Sequence, residues 1–228
     1  MTNKVLLITG GTGGHVIPAE NLANFLSSHN INCNLMLDPR GHKYLNNFNG
    51  KIHIINSSNL NGNLYNKLFG LINLFIGFVK SFFIILFYKP NIVISFGSYA
   101  SFFPMLSCLV LKLFFKIKIF IHEQNSVLGR TNSFFLYFAN KLFLNFDILV
   151  KIQKKFQSRT FVVGMPEKIS KKEIKNNNEI PNKFTIFICG GSQGSEFLSR
   201  FSIDLIKNIE KESIITANFI IQCPKHMN

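Results

Sequence analysis

Two glycine-rich segments of this sequence are suited to hold an anion. The first, GGTGG at residues 10–14, follows a short apolar run and is followed at once by His15. The second, GGSQG at residues 190–194, also follows an apolar run. A glycine loop between a strand and a helix lets backbone N–H groups approach a phosphate at the positive end of the helix. Both segments therefore predict binding of a phosphate or diphosphate.

His15 stands where the first glycine loop passes into a predicted helix. An imidazole titrates near neutral pH, so it is the side-chain type best suited to accept a proton there. The same residue at a helix start is also suited to cap the helix. The sequence leaves both interpretations of His15 open.

Two further polar segments follow apolar runs. His122, Glu123, Gln124 and Asn125 are consecutive, which favours recognition of sugar or other hydroxyl groups. They are not part of a zinc helix, because Ser126 stands where a second histidine is needed. The segment SFGSYASFFP at residues 95–104 supplies small residues at another strand end, where parallel α/β folds bind ligands.

The second glycine segment also fits the GxSxG elbow of α/β-hydrolases, with Ser192 as the nucleophile. That arrangement requires an acidic residue and then a histidine downstream, and too little sequence follows Ser192 for it. A phosphate cradle is therefore the favoured interpretation, and a serine hydrolase is the alternative.

Short apolar runs alternate with longer helical segments, which is typical of a parallel α/β sheet. Strands are predicted at residues 4–9, 31–37, 51–56, 91–95, 117–121, 141–144 and 160–163. Helices are predicted at residues 19–28, 64–88, 102–115 and 129–139. Together these elements predict one doubly wound domain.

A polar stretch that ends on Pro181 separates this domain from a second unit. The second unit has a predicted strand at 184–189, a helix to about Lys211 and a strand at 217–222. Two parallel strands and one helix cannot cover both faces of a sheet, so we expect a chain cut short at its C-terminus. The predicted division is a first domain at 1–164, a linker at 165–183 and an incomplete domain at 184–228.

The composition, 47% hydrophobic and 16% charged, excludes a disordered chain. A net charge of +14 predicts an anionic partner. The four cysteines lack CxxC spacing, so neither a disulfide framework nor a metal site is expected.

The most apolar segment, residues 68–87, has three interpretations. It is long enough to span a membrane, but Lys80 within it and Pro90 just after it disfavour that interpretation. It is alternatively a surface-lying amphipathic helix with Lys67, Lys80 and Lys89 available for lipid phosphates, or a helix buried in the domain.

Four motifs, in order, resemble those of the MurG family of N-acetylglucosaminyltransferases. They are GGTGGHVIPA from Gly10, HEQNSVLGRTN from His122, VVGMPEK from Val162 and GGSQGS from Gly190. The resemblance covers the whole sequence. It implies an α/β fold of the GT-B type, with a complete N-terminal Rossmann-like domain and the beginning of a second Rossmann-like domain.

The resemblance also implies an activity in peptidoglycan synthesis. N-acetylglucosamine would pass from UDP-N-acetylglucosamine to the 4-hydroxyl of the muramyl-pentapeptide carried on undecaprenyl diphosphate, lipid I to lipid II, with inversion. The implied location is peripheral, on the anionic cytoplasmic face of the bacterial inner membrane, with no nucleic-acid partner. No metal or other cofactor is implied, and the sequence has no DxD motif. The alternative is a truncated, inactive chain that binds the acceptor or the membrane.

By motif position the resemblance assigns catalysis to His15. It assigns UDP-N-acetylglucosamine contacts to Thr12, Gly13, Gly14, Asn125, Lys168 and Ser192. The acceptor diphosphate would lie against the first glycine loop and residues 95–104. Two departures are Met165 in place of an asparagine and Lys168 in place of an arginine, which keeps the charge but loses the planar fork. Because the sequence ends before the family's main donor pocket, we do not expect this chain to hold the donor tightly.

Overall fold

The computed structural model describes residues 4–58, 63–148, 151–167, 184–190, 195–212 and 217–224. The chain divides into two compact units, Met1–Ile169 and Ser170–Asn228. The boundaries of a first domain at 1–164, a linker at 165–183 and an incomplete domain at 184–228 remain a prediction. Lys168 and Ser192, both expected at the donor site, lie outside the described residues.

The first unit is built on a parallel seven-stranded sheet in the order β3-β2-β1-β4-β5-β6-β7. The strands are β1 Lys4–Ile8, β2 Asn32–Leu37, β3 Ile52–Ile54, β4 Ile92–Ser95, β5 Lys118–Glu123, β6 Lys141–Leu144 and β7 Thr160–Val162. The order reverses between β1 and β4, which are neighbours in the sheet. Open α/β sheets bind ligands at the carboxyl ends of the strands at such a reversal, so the loops after β1 and β4 are in the favoured position.

Helices lie on both faces of this sheet. They are α1 Gly13–Ser28, α2 Pro39–His42, α3 Leu64–Tyr88, α4 Phe102–Lys112, α5 Arg130–Phe135 and α6 Lys154–Gln157, with a 3-10 turn at Tyr99–Ser101. Successive residues of β1 enter opposite cores, as strand geometry requires. Leu6 and Ile8 belong to one buried cluster, and Val5 and Leu7 belong to the other.

All seven strands and all four helices predicted for this unit are present, with shifts at their ends. The largest shift is in α1, which begins at Gly13 rather than at Ala19. Pro18 favours a helix start in sequence, but the glycine loop turns directly into the helix and Pro18 lies inside it. Gly13, Gly14 and His15 therefore form its first turn.

Helix α3 packs against α4, and the Ser107 hydroxyl of α4 donates to the carbonyl of Phe78 at 2.8 Å. Among the described residues α3 is the one helix long and apolar enough to cross a membrane, by length and composition only. Only 28% of its most apolar window is buried. The interpretation of α3 as a buried helix is therefore wrong, because much of its apolar surface faces outwards.

The second unit contains a parallel pair of strands, β8 Phe184–Ile188 and β9 Ala217–Ile221, joined through α7 Glu196–Glu212. The predicted strand, helix and strand are thus present. The Ser195 hydroxyl accepts the N–H of Leu198 at 3.3 Å and so caps the start of α7.

Candidate functional site

The loops that follow β1, β4 and β5 meet at one edge of the sheet. Glycines allow two of these loops to touch. Gly11 has φ +78°, and a Cβ atom there would stand 2.7 Å from the Ser98 hydroxyl oxygen. Gly97 has φ +77°, and a Cβ atom there would stand 2.9 Å from the Asn132 amide nitrogen. Larger residues at either position would push the loops apart.

Asp38, at the end of β2, anchors the first glycine loop. Its buried Oδ1 accepts the N–H groups of Gly11 at 2.8 Å and Gly41 at 3.0 Å. Its Oδ2 accepts from Arg40 Nε at 2.8 Å and from the Ser57 hydroxyl at 2.9 Å. Burial acts to raise the pKa of this carboxyl, but the four hydrogen bonds outweigh burial and hold the pKa below its ordinary value. Asp38 is thus an ionised support of the loop.

His15 is fixed by two acceptors. Its Nδ1 lies 2.9 Å from the carbonyl oxygen of Phe96 and 2.8 Å from Oε1 of Gln124. Because both partners are oxygen acceptors, Nδ1 carries the proton and Nε2 of the neutral ring keeps its lone pair. The N-cap residue of α1 is Thr12, without a side-chain cap bond, so the interpretation of His15 as a helix cap is wrong.

The tautomer of His15 is supported by a wider set of hydrogen bonds. Gln124 Nε2 lies 3.0 Å from Nδ1 of His122, and His122 Nε2 lies 3.0 Å from the carbonyl of Gly164. The carbonyl must accept, so His122 Nε2 donates, His122 Nδ1 accepts from the Gln124 amide, and Gln124 Oε1 faces His15. We call Gly164, His122, Gln124 and His15 the histidine network. Its hydrogen bonds fix which atom of each side chain donates and which accepts.

Burial keeps His122 neutral within this network. The side chain is 4% exposed, and burial lowers the pKa of its imidazole. The hydrogen bond to Gly164 and the charge of Glu123 act in the opposite direction and do not restore the ordinary value. A neutral His122 is required for Nδ1 to accept from Gln124.

Glu123 is buried and organises the loop after β5. Oε1 accepts the backbone N–H and the side-chain amide of Asn125, at 3.1 and 3.0 Å. Oε2 accepts the N–H of Gly129 at 2.8 Å and the amide of Asn132 at 2.9 Å. The hypothesis that four consecutive polar residues serve ligand recognition therefore needs correction. Of the four, only Asn125 is exposed, and the other three are buried.

These loops enclose a cavity of about 320 Å³ that brings His15 and Asn125 together. Thr12, Gly13 and Gly14 directly precede His15, and Thr12 and Gly14 are exposed.

Sequence reasoning gave Ser98 only as a small residue of the 95–104 loop and assigned no role to three other residues of the cavity wall, which are Tyr99, Arg130 and Asn132. Arg130 is the first residue of α5 and is exposed. Its position just after Gly129, at a helix start, was the signal that could have identified it. It supplies a positive charge to the cavity beside His15 and the loop at residues 97–98.

Comparison with known proteins gives the family. The model of the glycosyltransferase family 28 N-terminal domain matches residues 5–144, more than half of the chain. The chain belongs to glycosyltransferase family 28. Within this family it is similar to two curated relatives named "UDP-N-acetylglucosamine--N-acetylmuramyl-(pentapeptide) pyrophosphoryl-undecaprenol N-acetylglucosamine transferase". The one from Rickettsia canadensis is 33% identical over 201 residues, covering 86% of this chain and 54% of the relative. The one from Rickettsia felis is 32% identical over 232 residues, covering 96% of this chain and 61% of the relative.

Solved structures agree with this assignment at the level of the fold. The family 28 chain superposes on Acinetobacter baumannii MurG with a TM-score of 0.72 at 24% identity, covering 98% of this chain and 61% of that one. The glycotransferase of kitacinnamycin gives a TM-score of 0.68 at 8% identity, covering 100% of this chain and 67% of that one. The GT-B-like fold class and the resemblance to the MurG family are confirmed. The chain spans little more than half the length of the curated relatives described above.

Proposed function

We propose that this family 28 chain acts in an inverting N-acetylglucosaminyl transfer from UDP-N-acetylglucosamine to the muramyl-pentapeptide on undecaprenyl diphosphate. The proposed reaction is the lipid I to lipid II step of peptidoglycan synthesis. The main support for this proposal is the hydrogen bonding of His15 and its position in the cavity wall. Its Nδ1 is held by Phe96 and Gln124, and the imidazole lines a cavity beside the loop at residues 97–98. The names of the two Rickettsia relatives describe the same transfer.

His15 is suited to be the general base. In the proposed step the acceptor 4-hydroxyl oxygen attacks the anomeric carbon of N-acetylglucosamine. The hydroxyl proton passes to Nε2 of His15, and the bond from the anomeric carbon to the UDP oxygen breaks with its electron pair leaving on UDP. The lone pair on Nε2 is what this step requires, and the two bonds at Nδ1 hold the ring in that tautomer.

The acceptor diphosphate is proposed to bind the loop at residues 10–14 and the loop at residues 97–98. The first N–H groups of an α-helix have no partner within the helix, and α1 extends over 16 residues from Gly13. Arg130 adds a full positive charge at the same cavity. Asp38 supports the loop from behind through Gly11.

Donor contacts are proposed at Thr12, Gly13, Gly14 and Asn125. Asn125 is exposed, and Glu123 fixes both its backbone and its side chain, so that its carboxamide is presented in one orientation. Lys168 and Ser192 remain part of the donor proposal by motif position.

Titration with a water-soluble analogue of the lipid-linked acceptor tests the acceptor half of this proposal. We expect saturable shifts of the NMR signals of Gly13, Gly14, His15 and Ser98. In a matched titration, the same sugar-peptide without its diphosphate should bind at least tenfold more weakly, because the loops at residues 10–14 and 97–98 are proposed to hold the diphosphate. Shifts confined to other parts of the unit would overturn the proposed placement.

We also propose peripheral binding to the anionic cytoplasmic face of the inner membrane. Helix α3 exposes a row of large apolar side chains, namely Leu68, Phe69, Leu71, Ile72, Phe75 and Ile76. After α4, Leu113 is 81% exposed and Phe114 is 75% exposed. Apolar surface of this extent in a chain of net charge +14 favours an anionic bilayer as the partner.

Co-sedimentation with anionic vesicles tests membrane binding. Phe69→Ser together with Phe75→Ser should weaken binding to anionic vesicles, because apolar contact is lost while the positive charge remains. Phe187→Ser, at an exposed phenylalanine of the second unit, is the control. Equal binding by the double variant and the control would contradict the proposal. So would binding that does not decrease in high salt.

A further inference from the structure

A second cavity, of about 1080 Å³, lies at the opposite edge of the sheet from the glycine loop at residues 10–14. Its wall includes Lys4 and Asn32, the first residues of β1 and β2, and Lys51, which directly precedes β3. In a parallel sheet the amino ends of the strands share one edge and the carboxyl ends share the other. This cavity therefore belongs to no part of the site proposed for transfer.

The wall of this cavity is cationic. Lys4, Lys51, Lys80 and His53 line it, and no carboxylate is among the described lining residues. Lys4 is held in place, since its Nζ donates to the carbonyl of Tyr88 at 3.3 Å.

The charges of this wall affect the pKa of His53. Burial is the first cause that lowers the pKa of its imidazole, and the charges of Lys51 and Lys80 lower it further. Its Nε2 lies 3.1 Å from the Asn34 amide nitrogen, which donates, so Nδ1 carries the proton of the neutral ring. An anion is the species that would relieve the mutual repulsion of these groups.

One side of the wall is mainly apolar and comes from the second half of α3, while the end of α1 and β2 supply other, partly polar, lining residues. The α3 side includes Phe83, Ile84, Phe87 and Tyr88. Phe83 and Phe87 stack with ring centroids 6.3 Å apart and are 49% and 77% exposed. They continue the exposed apolar surface of α3 up to the mouth of the cavity. A small inorganic anion would leave this aromatic wall uncovered.

We propose that this cavity binds a single anionic phospholipid, with its phosphate among Lys4, Lys51 and Lys80 and the first part of its acyl chains against Phe83 and Phe87. The inference deepens the proposed membrane association by naming the lipid class and a discrete site. Its test uses a monomeric lipid, so it succeeds or fails independently of vesicle binding.

The experiment is an NMR titration of the histidine-labelled chain with dihexanoyl phosphatidylglycerol below its micelle concentration. We expect saturable shifts of the His53 signals, with those of His15 unchanged. Dihexanoyl phosphatidylcholine and inorganic phosphate should bind at least tenfold more weakly. Equal binding of inorganic phosphate would assign the site to a free anion, and an unmoved His53 would exclude a ligand there. Either result overturns the proposal.

Matched variants distinguish lipid binding in this cavity from a general effect of positive charge on binding. Each lysine beside a lipid phosphate contributes on the order of a fivefold effect, so Lys4→Gln with Lys51→Gln should weaken binding about 25-fold. Lys43→Gln with Lys207→Gln removes the same charge at exposed positions outside the cavity and should change binding less than twofold. Unchanged His15 and His122 signals would show that the variants are folded. Equal weakening in both pairs would refute a discrete site.

Discussion

Replacing Gln124 by leucine is the sharpest perturbation of the histidine network. Gln124 is 5% exposed, and its carboxamide bonds to His15 on one side and to Nδ1 and the carbonyl of His122 on the other. The His122 carbonyl keeps the Asn132 amide at 3.3 Å, whereas Nδ1 of His122 loses its donor. One orphaned buried acceptor and one lost bond to His15 together predict a loss of about 2–4 kcal/mol in the free energy of unfolding.

Gln124→Leu should also weaken the preference of His15 for the tautomer that is protonated at Nδ1. The Nδ1–H group of His15 keeps its hydrogen bond to the Phe96 carbonyl but loses the one to Gln124 Oε1. The loss of one hydrogen bond, about 1 kcal/mol net, corresponds to roughly a fivefold change in the ratio of the two tautomers. Gln124→Glu is the matched variant. Its carboxylate still accepts from His15 but cannot donate to His122, so His15 should keep its tautomer while His122 takes up a proton at a higher pH than in the wild type.

Nitrogen-detected NMR of the imidazoles and urea unfolding measure these effects directly. The wild-type spectrum should show His15 protonated at Nδ1 and His122 protonated at Nε2. A wild-type His15 protonated at Nε2 would refute the reasoning, whatever the variants do. A Gln124→Leu variant whose unfolding free energy stays within about 0.5 kcal/mol of the wild type would refute the energetic part.

Three further predictions concern the loops around the cavity. Glu123→Gln replaces an acceptor with an amide that faces N–H donors, and should lower the free energy of unfolding by about 2–4 kcal/mol in urea titrations. Gly11→Ala should destabilise by more than about 1 kcal/mol, because φ is +78° and Ser98 stands in the way. Gly14→Ala, where the new Cβ would make only ordinary van der Waals contact with Thr12, should be neutral or stabilising yet weaken binding of the acceptor analogue. The lowered pKa of Asp38 stabilises the fold fully above its unfolded value of about 3.9, and this contribution is lost as pH falls through the folded pKa. Acid unfolding of Asp38→Asn should therefore depend less steeply on pH, and an unchanged slope would contradict the assignment.

The fold was predictable because its signals are local. Leu6 and Ile8 alternate with Val5 and Leu7 between two cores, and each buried strand is an apolar run that the sequence shows directly. The start of α1 was predicted too late, at Ala19 rather than at Gly13, since Pro18 is a stronger local signal for a helix start than the glycine loop.

The role of His15 depends on contacts that no local pattern contains. Its two acceptors, Phe96 and Gln124, are 81 and 109 residues away in sequence. Glu123 is similar, because Gly129 and Asn132 fold back over it and turn a residue expected to face ligand into a buried support. The glycine loops were recognisable in sequence, but the network behind His15 required the fold.

Transfer of labelled N-acetylglucosamine from UDP-N-acetylglucosamine to a lipid I analogue tests the central claim most directly. We expect labelled disaccharide product with the wild-type chain at saturating donor, which this chain is not expected to hold tightly, and a loss of roughly 10²–10⁴-fold in turnover for His15→Gln. His29→Gln, an exposed histidine at the other end of α1, is the matched control and should leave turnover unchanged. Product formation that His15→Gln does not reduce, or no product from the wild-type chain at saturating donor and acceptor, would contradict it.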